Sequence, residues 1–339
     1  MQPTPAPPPY AVMIELILAQ WVSFAISAAS KLGVADQLES GPKTTNELAA
    51  QLKVHEDSLY RLLRALAGNG IFHEGAGRMF SQTPLSELLR TNARPGLRYA
   101  AVMLLDDWHH KAFQAICESI ETGRTAPETV FGMGLFEHLH KNPGEADNFN
   151  KGMTDLSSGE APAVVASYDF SGCEHIVDVG GGMGGLLAAI LESAPKLRGT
   201  VFDQPSVIEQ AEKAPILAPF AGRCQLTGGS FFEGVPAGAD AYIMKHIIHD
   251  WDDARSTQIL VNCRKAMRPK GKVLVVDRVI GAPNQPDPKK YFDLAMLVLP
   301  GGRERDEGEW RALFAASGFR LERIIPTPAP HSILEGTLL

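Results

Sequence analysis

From Val12 to Ala29 the chain reads VMIELILAQWVSFAISAA, with Met13, Leu16, Ile17, Trp21 and Phe24 recurring at helical spacing. The pattern predicts a long helix with an apolar face that is buried or packed on a partner. Glu15 and Gln20 interrupt the run, no basic leader precedes it and no small-residue cleavage site follows, so a membrane span or signal peptide fits poorly.

Between Thr44 and Leu89 the spacing predicts two short helices and a hairpin. Thr44 and Glu47 form a capping box ahead of Leu48, Ala49 and Leu52. A second helix, capped by Asp57, carries the stripe Leu59, Leu62, Leu63, Leu66 and stops at Gly68 and Gly70. Ile71 to Gln82 reads as a hairpin around Glu74-Gly75-Ala76-Gly77, where glycines give the reversal its backbone freedom. Helix, turn, helix, hairpin is the order of a winged helix. Leu97 to Ala166 is mainly helical.

Beyond Ala166 strand and helix patterns alternate. Strands are expected at His175–Gly180, Gly199–Asp203, Ala239–Lys245 and Lys272–Val279, with a helix at Gly185–Ser193. Such alternation predicts a parallel sheet covered on both faces. Asp306 and Glu309 make a second capping box before Trp310, Leu313 and Phe314, and Gly318 ends that helix. Arg320–Ile325 and Ser332–Leu338 read as a closing pair of strands.

Composition narrows what such a chain does. At 339 residues it has length for roughly two domains. Its net charge of −7 opposes phosphate backbones, so the winged part, with only Arg61 and Arg64 on its second helix, reads as a structural or dimerising module rather than a DNA reader. Cys117, Cys173, Cys224 and Cys263 lie far apart with no Cys-x-x-Cys pair, which fits a reduced, cytoplasmic chain without a zinc site.

The most informative run is Ile176-Val177-Asp178-Val179-Gly180-Gly181-Gly182-Met183-Gly184-Gly185. Gly180, Gly182 and Gly185 fit G-x-G-x-x-G between a strand and a helix, and Asp203 ends the next strand where a ribose-binding carboxylate belongs. A pyrophosphate needs such a loop free of negative charge, whereas a sulfonium carrying an ammonium group tolerates it. Asp178 therefore leans toward S-adenosylmethionine over a dinucleotide.

After the third strand comes Lys245-His246-Ile247-Ile248-His249-Asp250-Trp251-Asp252-Asp253, at the carboxyl edge where open sheets bind ligands. A phenol has a pKa near 10 and attacks a methyl group as it loses its proton, so a positioned imidazole suits the task of base. Asp250, Asp277 and Glu304 are candidates to orient the ring. Plainer readings stand beside this one: Asp252 and Asp253 cap a helix, His249 is a satisfied core histidine, or the carboxylates hold magnesium.

The motifs Phe149-Asn150-Lys151-Gly152-Met153, Val177-Asp178-Val179-Gly180-Gly181-Gly182, Phe202-Asp203-Gln204-Pro205, His249-Asp250-Trp251 and Gly301-Gly302-Arg303-Glu304-Arg305 are together highly specific. From about Val12 to Leu338 the chain resembles the plant caffeic-acid-type and bacterial small-molecule O-methyltransferases that use S-adenosyl-L-methionine. The resemblance implies an α/β protein: a Rossmann-like class I methyltransferase domain with a mostly parallel seven-stranded sheet, and an amino-terminal, mainly α winged-helix dimerisation domain. It implies a homodimer in which one subunit lends residues to its partner's pocket.

By resemblance His249 matches the general base, and Asp277 and Glu304 the flanking acids, the first commonly glutamate in plant members. Asp178, Gly180, Gly182, Asp203, Phe231 and Lys245 match the cofactor site, Lys245 beside the adenine. Ser230 departs from the pattern, which usually has an acid there, so the adenine contact at Ser230 is open. Met103, Trp108, Phe149, Met153 and Met296 match the substrate pocket, and Asp250 is assigned to it with them. The domains expected are 1–96 for dimerisation, 97–166 for a helical linker and pocket region, and 167–339 for the cofactor. The implied reaction is methylation of a hydroxyl on an aromatic small molecule, without metal, nucleic acid or membrane. An NAD-dependent oxidoreductase lacks its second nucleotide-binding half and proton donor here, and a DNA-binding regulator lacks its basic face.

Overall fold

A computed structural model describes residues 7–157, 159–213 and 215–339. Residues 1–6, at the start of the expected first domain, lie outside the described residues. The chain divides into two units, Met1–Lys111 with Leu139–Ser158, and Ala112–His138 with Gly159–Leu339. The expected region 97–166 thus splits between them.

In the first unit, α1 (Pro9–Leu32) ends at Gly33, whose φ of 73° is the left-handed conformation that stops a helix. Its apolar face is not covered by the chain: Leu16, Ile17 and Trp21 are 63%, 54% and 64% exposed. The Thr44–Glu47 capping box forms as expected at the start of the helix Thr45–Leu52. The next helix, Glu56–Ala67, is capped by His55 and not by Asp57. Asp57 already lies inside the first turn, and the His55 Nδ1 accepts from the Ser58 N–H instead. A three-stranded sheet follows, β1 (Lys43–Thr44), β2 (Phe72–Gly75) and β3 (Met79–Gln82), in the order β1-β3-β2. Leu48, Leu63, Leu66, Phe72 and Phe80 fill the core beneath it.

The second unit is built on β4 (His175–Val179), β5 (Arg198–Asp203), β6 (Cys224–Gly228), β7 (Ala241–Lys245) and β8 (Lys272–Asp277), all parallel. A small parallel pair, β9 (Val279–Ile280) and β10 (Arg305–Asp306), lies apart from the main sheet. The chain closes with β11 (Phe319–Pro326) and β12 (Ser332–Leu338), and β12 joins β8 antiparallel. The order β11-β12-β8-β7-β4-β5-β6 gives the expected seven strands. Val177, Val179, Ile243, Val273 and Val275 are fully buried, as an apolar run in a sheet covered on both faces requires.

Two differences from the sequence pattern have physical causes. β6 was not expected, because as an edge strand it keeps one neighbour and lacks an apolar run. β7 starts at Ala241 rather than Ala239, since the Asp240 carboxylate accepts from the backbone N–H groups of Glu174 and His175. The order reverses between β4 and β7. At such a switch point the loops leaving both carboxyl ends border one crevice, and the glycine loop leaves β4 while the His249 segment leaves β7.

Candidate active site

Past Val179 the backbone adopts left-handed conformations that favour glycine: Gly180, Gly182 and Gly184 have φ of 70°, 56° and 80°. A Cβ on Gly180 would stand 2.2 Å from Ile247 Cδ1, so this loop and the His249 segment pack directly on each other. Asp203 braces the loop, its Oδ2 accepting from the Gly182 N–H at 2.8 Å. Asp178 lies beneath it, buried, and its Oδ2 carries no hydrogen bond. Burial pushes this carboxyl up to about 7. An unsatisfied buried carboxylate oxygen attracts a cationic group and repels a pyrophosphate, so the residues fit S-adenosylmethionine better than a dinucleotide.

Ser230 and Phe231 follow β6. The Ser230 Oγ accepts from the Phe232 N–H, a local turn contact, while Phe231 stands beside Gly180 and against Phe232 and Trp251. The Lys245 ammonium donates to Glu160 Oε2 at 2.9 Å. The same oxygen lies 2.8 Å from His246 Nε2, and Glu160 Oε1 lies 3.2 Å from His331 Nδ1. Burial drives His246 well below the ordinary histidine range and His331 down to about 2. Glu160, His246 and His331 bring potential ligand atoms within 4.8 Å of one another, and the Lys245 ammonium already occupies one of the two Glu160 oxygens. Nothing in the sequence pattern pointed to Glu160 or His331. His246 was adjacent to the motif but carried no spacing signal.

His249 sits in a short turn, Ile248–Asp250, and is 5% exposed. Its Nδ1 shares a hydrogen bond with Glu304 Oε1 at 3.0 Å. Asp277 Oδ1 lies 3.2 Å from the same nitrogen, while Asp277 Oδ2 accepts from the His249 backbone N–H. Glu304 therefore sets the ring and Asp277 grips the turn. Nε2 faces Asp250 Oδ1 at 3.6 Å. Burial works against the protonated ring, but the charges of Asp277, Asp250 and Glu304 outweigh it and push His249 up to about 9. Burial raises both Asp277 and Asp250 to about 6.

Glu304 reaches the ring because of Gly301 and Gly302. Gly301 has a φ of 82°, and a Cβ on Gly302 would stand 1.9 Å from the His249 carbonyl oxygen. This approach lets the Arg303 N–H donate to that oxygen at 2.8 Å. Arg305, 1% exposed, ties the turn down further through the carbonyls of Ile248 and Trp251 and the carboxylate of Asp253. Asp252 caps the helix Asp253–Ala266, as its capping reading expected.

Of the residues matched to a substrate pocket, Met103, Trp108, Phe149 and Met153 belong to the first unit, and Asp250 and Met296 to the second. Met103 lies against Gly152, and the buried Trp108 meets Phe149 edge on, ring centres 6.2 Å apart. The Met296 carbonyl accepts from the N–H groups of Gly301 and Gly302.

A mostly parallel sheet, a glycine loop at its switch point and a buried histidine with two acids define a class I methyltransferase. Residues 113–320 match the model of the O-methyltransferase domain, and residues 14–92 that of the O-methyltransferase dimerisation domain. The chain belongs to this family. It is 42% identical over 331 residues to the phenazine O-methyltransferase PhzM of Lysobacter antibioticus, covering 97% of this chain and 96% of that one. It is 39% identical to the mitomycin biosynthesis 6-O-methyltransferase of Streptomyces lavendulae, covering 95% and 92%. The solved structure of a methyltransferase of calicheamicin biosynthesis, in its SAH-bound form, is 32% identical with a TM-score of 0.88, over 97% of this chain and 98% of that one.

Proposed function

We propose that the protein methylates a hydroxyl of an aromatic small molecule, a phenol, quinone or related natural product, with His249 as general base. S-adenosyl-L-methionine is the cofactor and supplies an electrophilic methyl group on a sulfonium. The observation that carries the reading is the hydrogen bond from His249 Nδ1 to Glu304 Oε1, which fixes one ring nitrogen and leaves Nε2 to take a proton. Phenazine and mitomycin relatives support an aromatic acceptor.

Basicity decides how the step runs. Held above the ordinary imidazole range by its acids, His249 takes a proton from a phenol near 10 at a smaller cost than an ordinary imidazole would. A phenol meeting the neutral ring and a phenolate meeting the protonated ring give the same ion pair. His249 then holds the proton while the oxygen reacts, and alignment supplies the rest of the rate.

In this reading Asp178, Gly180, Gly182, Asp203, Ser230, Phe231 and Lys245 hold the cofactor, within a domain spanning 167–339. Met103, Trp108, Phe149, Met153, Asp250 and Met296 contact the acceptor, the first four from the helical region 97–166 that follows a dimerisation domain at 1–96. Four free cysteines, two of them buried, fit a cytoplasmic setting. Incubation with labelled S-adenosylmethionine and a panel of phenols, quinones and heteroaromatic hydroxyls, read by mass, tests the activity. Transfer to nitrogen or carbon only would overturn it.

Asp203→Ala removes a charged acceptor and the brace on Gly182 together. Binding of S-adenosylhomocysteine should weaken by roughly 1.5 to 3 kcal/mol, about 10- to 150-fold. Calorimetry giving an unchanged affinity removes Asp203 from the site.

The exposed stripe on α1 is the homodimer surface in this reading, since contiguous apolar faces mark contacts. Light scattering should give a dimer at micromolar concentration, and Leu16→Glu with Ile17→Glu should shift it to monomer. A monomeric parent protein would rule the dimer out.

A further inference from the structure

One oxygen of the site serves two partners. Glu304 Oε1 lies 3.0 Å from His249 Nδ1 and accepts from Arg278 Nη1, also at 3.0 Å. Arg278 follows Asp277 directly, at the end of β8, and is 6% exposed. Its guanidinium lies over the Phe292 ring, 3.9 Å from the centroid, and its carbonyl accepts from the Trp310 indole N–H. The Phe292 face thus lies against the guanidinium, while the indole fixes the backbone from which the side chain reaches Glu304.

We propose that Arg278 is a positioning residue that sets the basicity of His249 by sharing Glu304 with it. This rests on His249 being the base. Without the guanidinium, deprotonating His249 would leave the carboxylates of Asp277 and Glu304 together in a buried site, with Lys245, the other nearby cation, bonded to Glu160 and not to them. With it, one of the two charges stays compensated, and the ring gives up its proton at lower pH. Arg278 thus keeps the base in a range where part of it is neutral.

Other charged groups around the ring do not replace this contact. On the His249 segment itself, Asp250 faces Nε2, and His246 lies with its ring centre 5.1 Å away, held below the ordinary histidine range by burial. The nearby cation Lys245 is engaged by Glu160, with His331 on the far side of that carboxylate. On the segment behind Glu304, Asp293 accepts from the Glu304 N–H and adds negative charge only. Among the described residues, Arg278 is the cation bonded to the His249 acids.

The test follows the ring directly. Enzyme carrying [13Cε1]histidine is saturated with S-adenosylhomocysteine and titrated by NMR, with the His249 signal assigned by its loss in His249→Ala. Arg278→Met should raise the His249 midpoint by about one pH unit, a tenfold change. Arg278→Lys should restore most of it, and Arg278→Gln, which keeps a donor without charge, should not. An unchanged or lowered midpoint in Arg278→Met, at a melting temperature near that of the parent, overturns the proposal. Should Arg278→Met not fold, an unchanged midpoint in Arg278→Gln does the same. If His249→Ala keeps its turnover while the midpoint still moves in Arg278→Met, the base assignment fails and the tuning stands.

Discussion

His249→Ala should lower kcat by roughly 10² to 10⁴ while the affinity for S-adenosylhomocysteine barely changes. The glycine loop and Asp203 keep their mutual hydrogen bond in that variant, so the cofactor side has no reason to respond. A histidine that only filled the core would behave otherwise: its loss would lower the melting temperature, the cofactor affinity and the rate together. The variant should also recover in part at high pH with a phenolic acceptor, because near pH 10 the substrate ionises without a base. Near-full activity at neutral pH on the true acceptor would leave alignment as the whole of catalysis.

The pH dependence of the parent follows from the same ring. His249 is held above the ordinary range, so its protonated form is favoured by folding. That contribution is complete below about pH 6.5 and fades as the pH rises through about 9. The rate with a phenol of ordinary acidity should rise over the same interval, stability and activity moving in opposite directions.

Gly302→Ala is the second large effect. The added methyl would stand 1.9 Å from the His249 carbonyl oxygen and 2.5 Å from the Asp250 carbonyl carbon, both backbone atoms that no rotamer change can move aside. The chain must shift, at a cost of about 1 to 3 kcal/mol or more, which is roughly 5 °C in melting temperature. Displacing the turn by even 1 Å also misplaces His249, the base of the proposed reaction, and such an error costs about 10²-fold in rate. Gly144→Ala, at a position with open space around it, should leave both quantities unchanged. A Gly302→Ala enzyme with the parent's melting temperature and kcat would show that the 301–304 loop does not position His249.

The sheet and its glycine loop were legible because a strand buried on both faces must be apolar along its length, and the turn after β4 must be glycine. The capping boxes at Thr44 and Asp306 were legible for an equally local reason, since each side chain bonds within three residues. What escaped the pattern is held together through space. Glu160, Lys245, His246 and His331 meet from three distant segments, and Arg278 gains its role only when residue 304 is brought beside it. Asp277 and Glu304 were visible only as separate candidates, the one ending a strand and the other following Gly301-Gly302; that they meet at one ring was not, for they lie 27 positions apart in the chain.

The pairing of β9 with β10 is small, two residues on each side, yet it joins the chain just after Asp277 to the chain just after Glu304. Both acids are thus carried by one clip that contributes nothing to the glycine loop. A lineage that loosened this clip would release the acids that set His249 and keep the bound cofactor. Descent by such steps offers a route from methyl transfer to other reactions of the same cofactor on an unchanged scaffold.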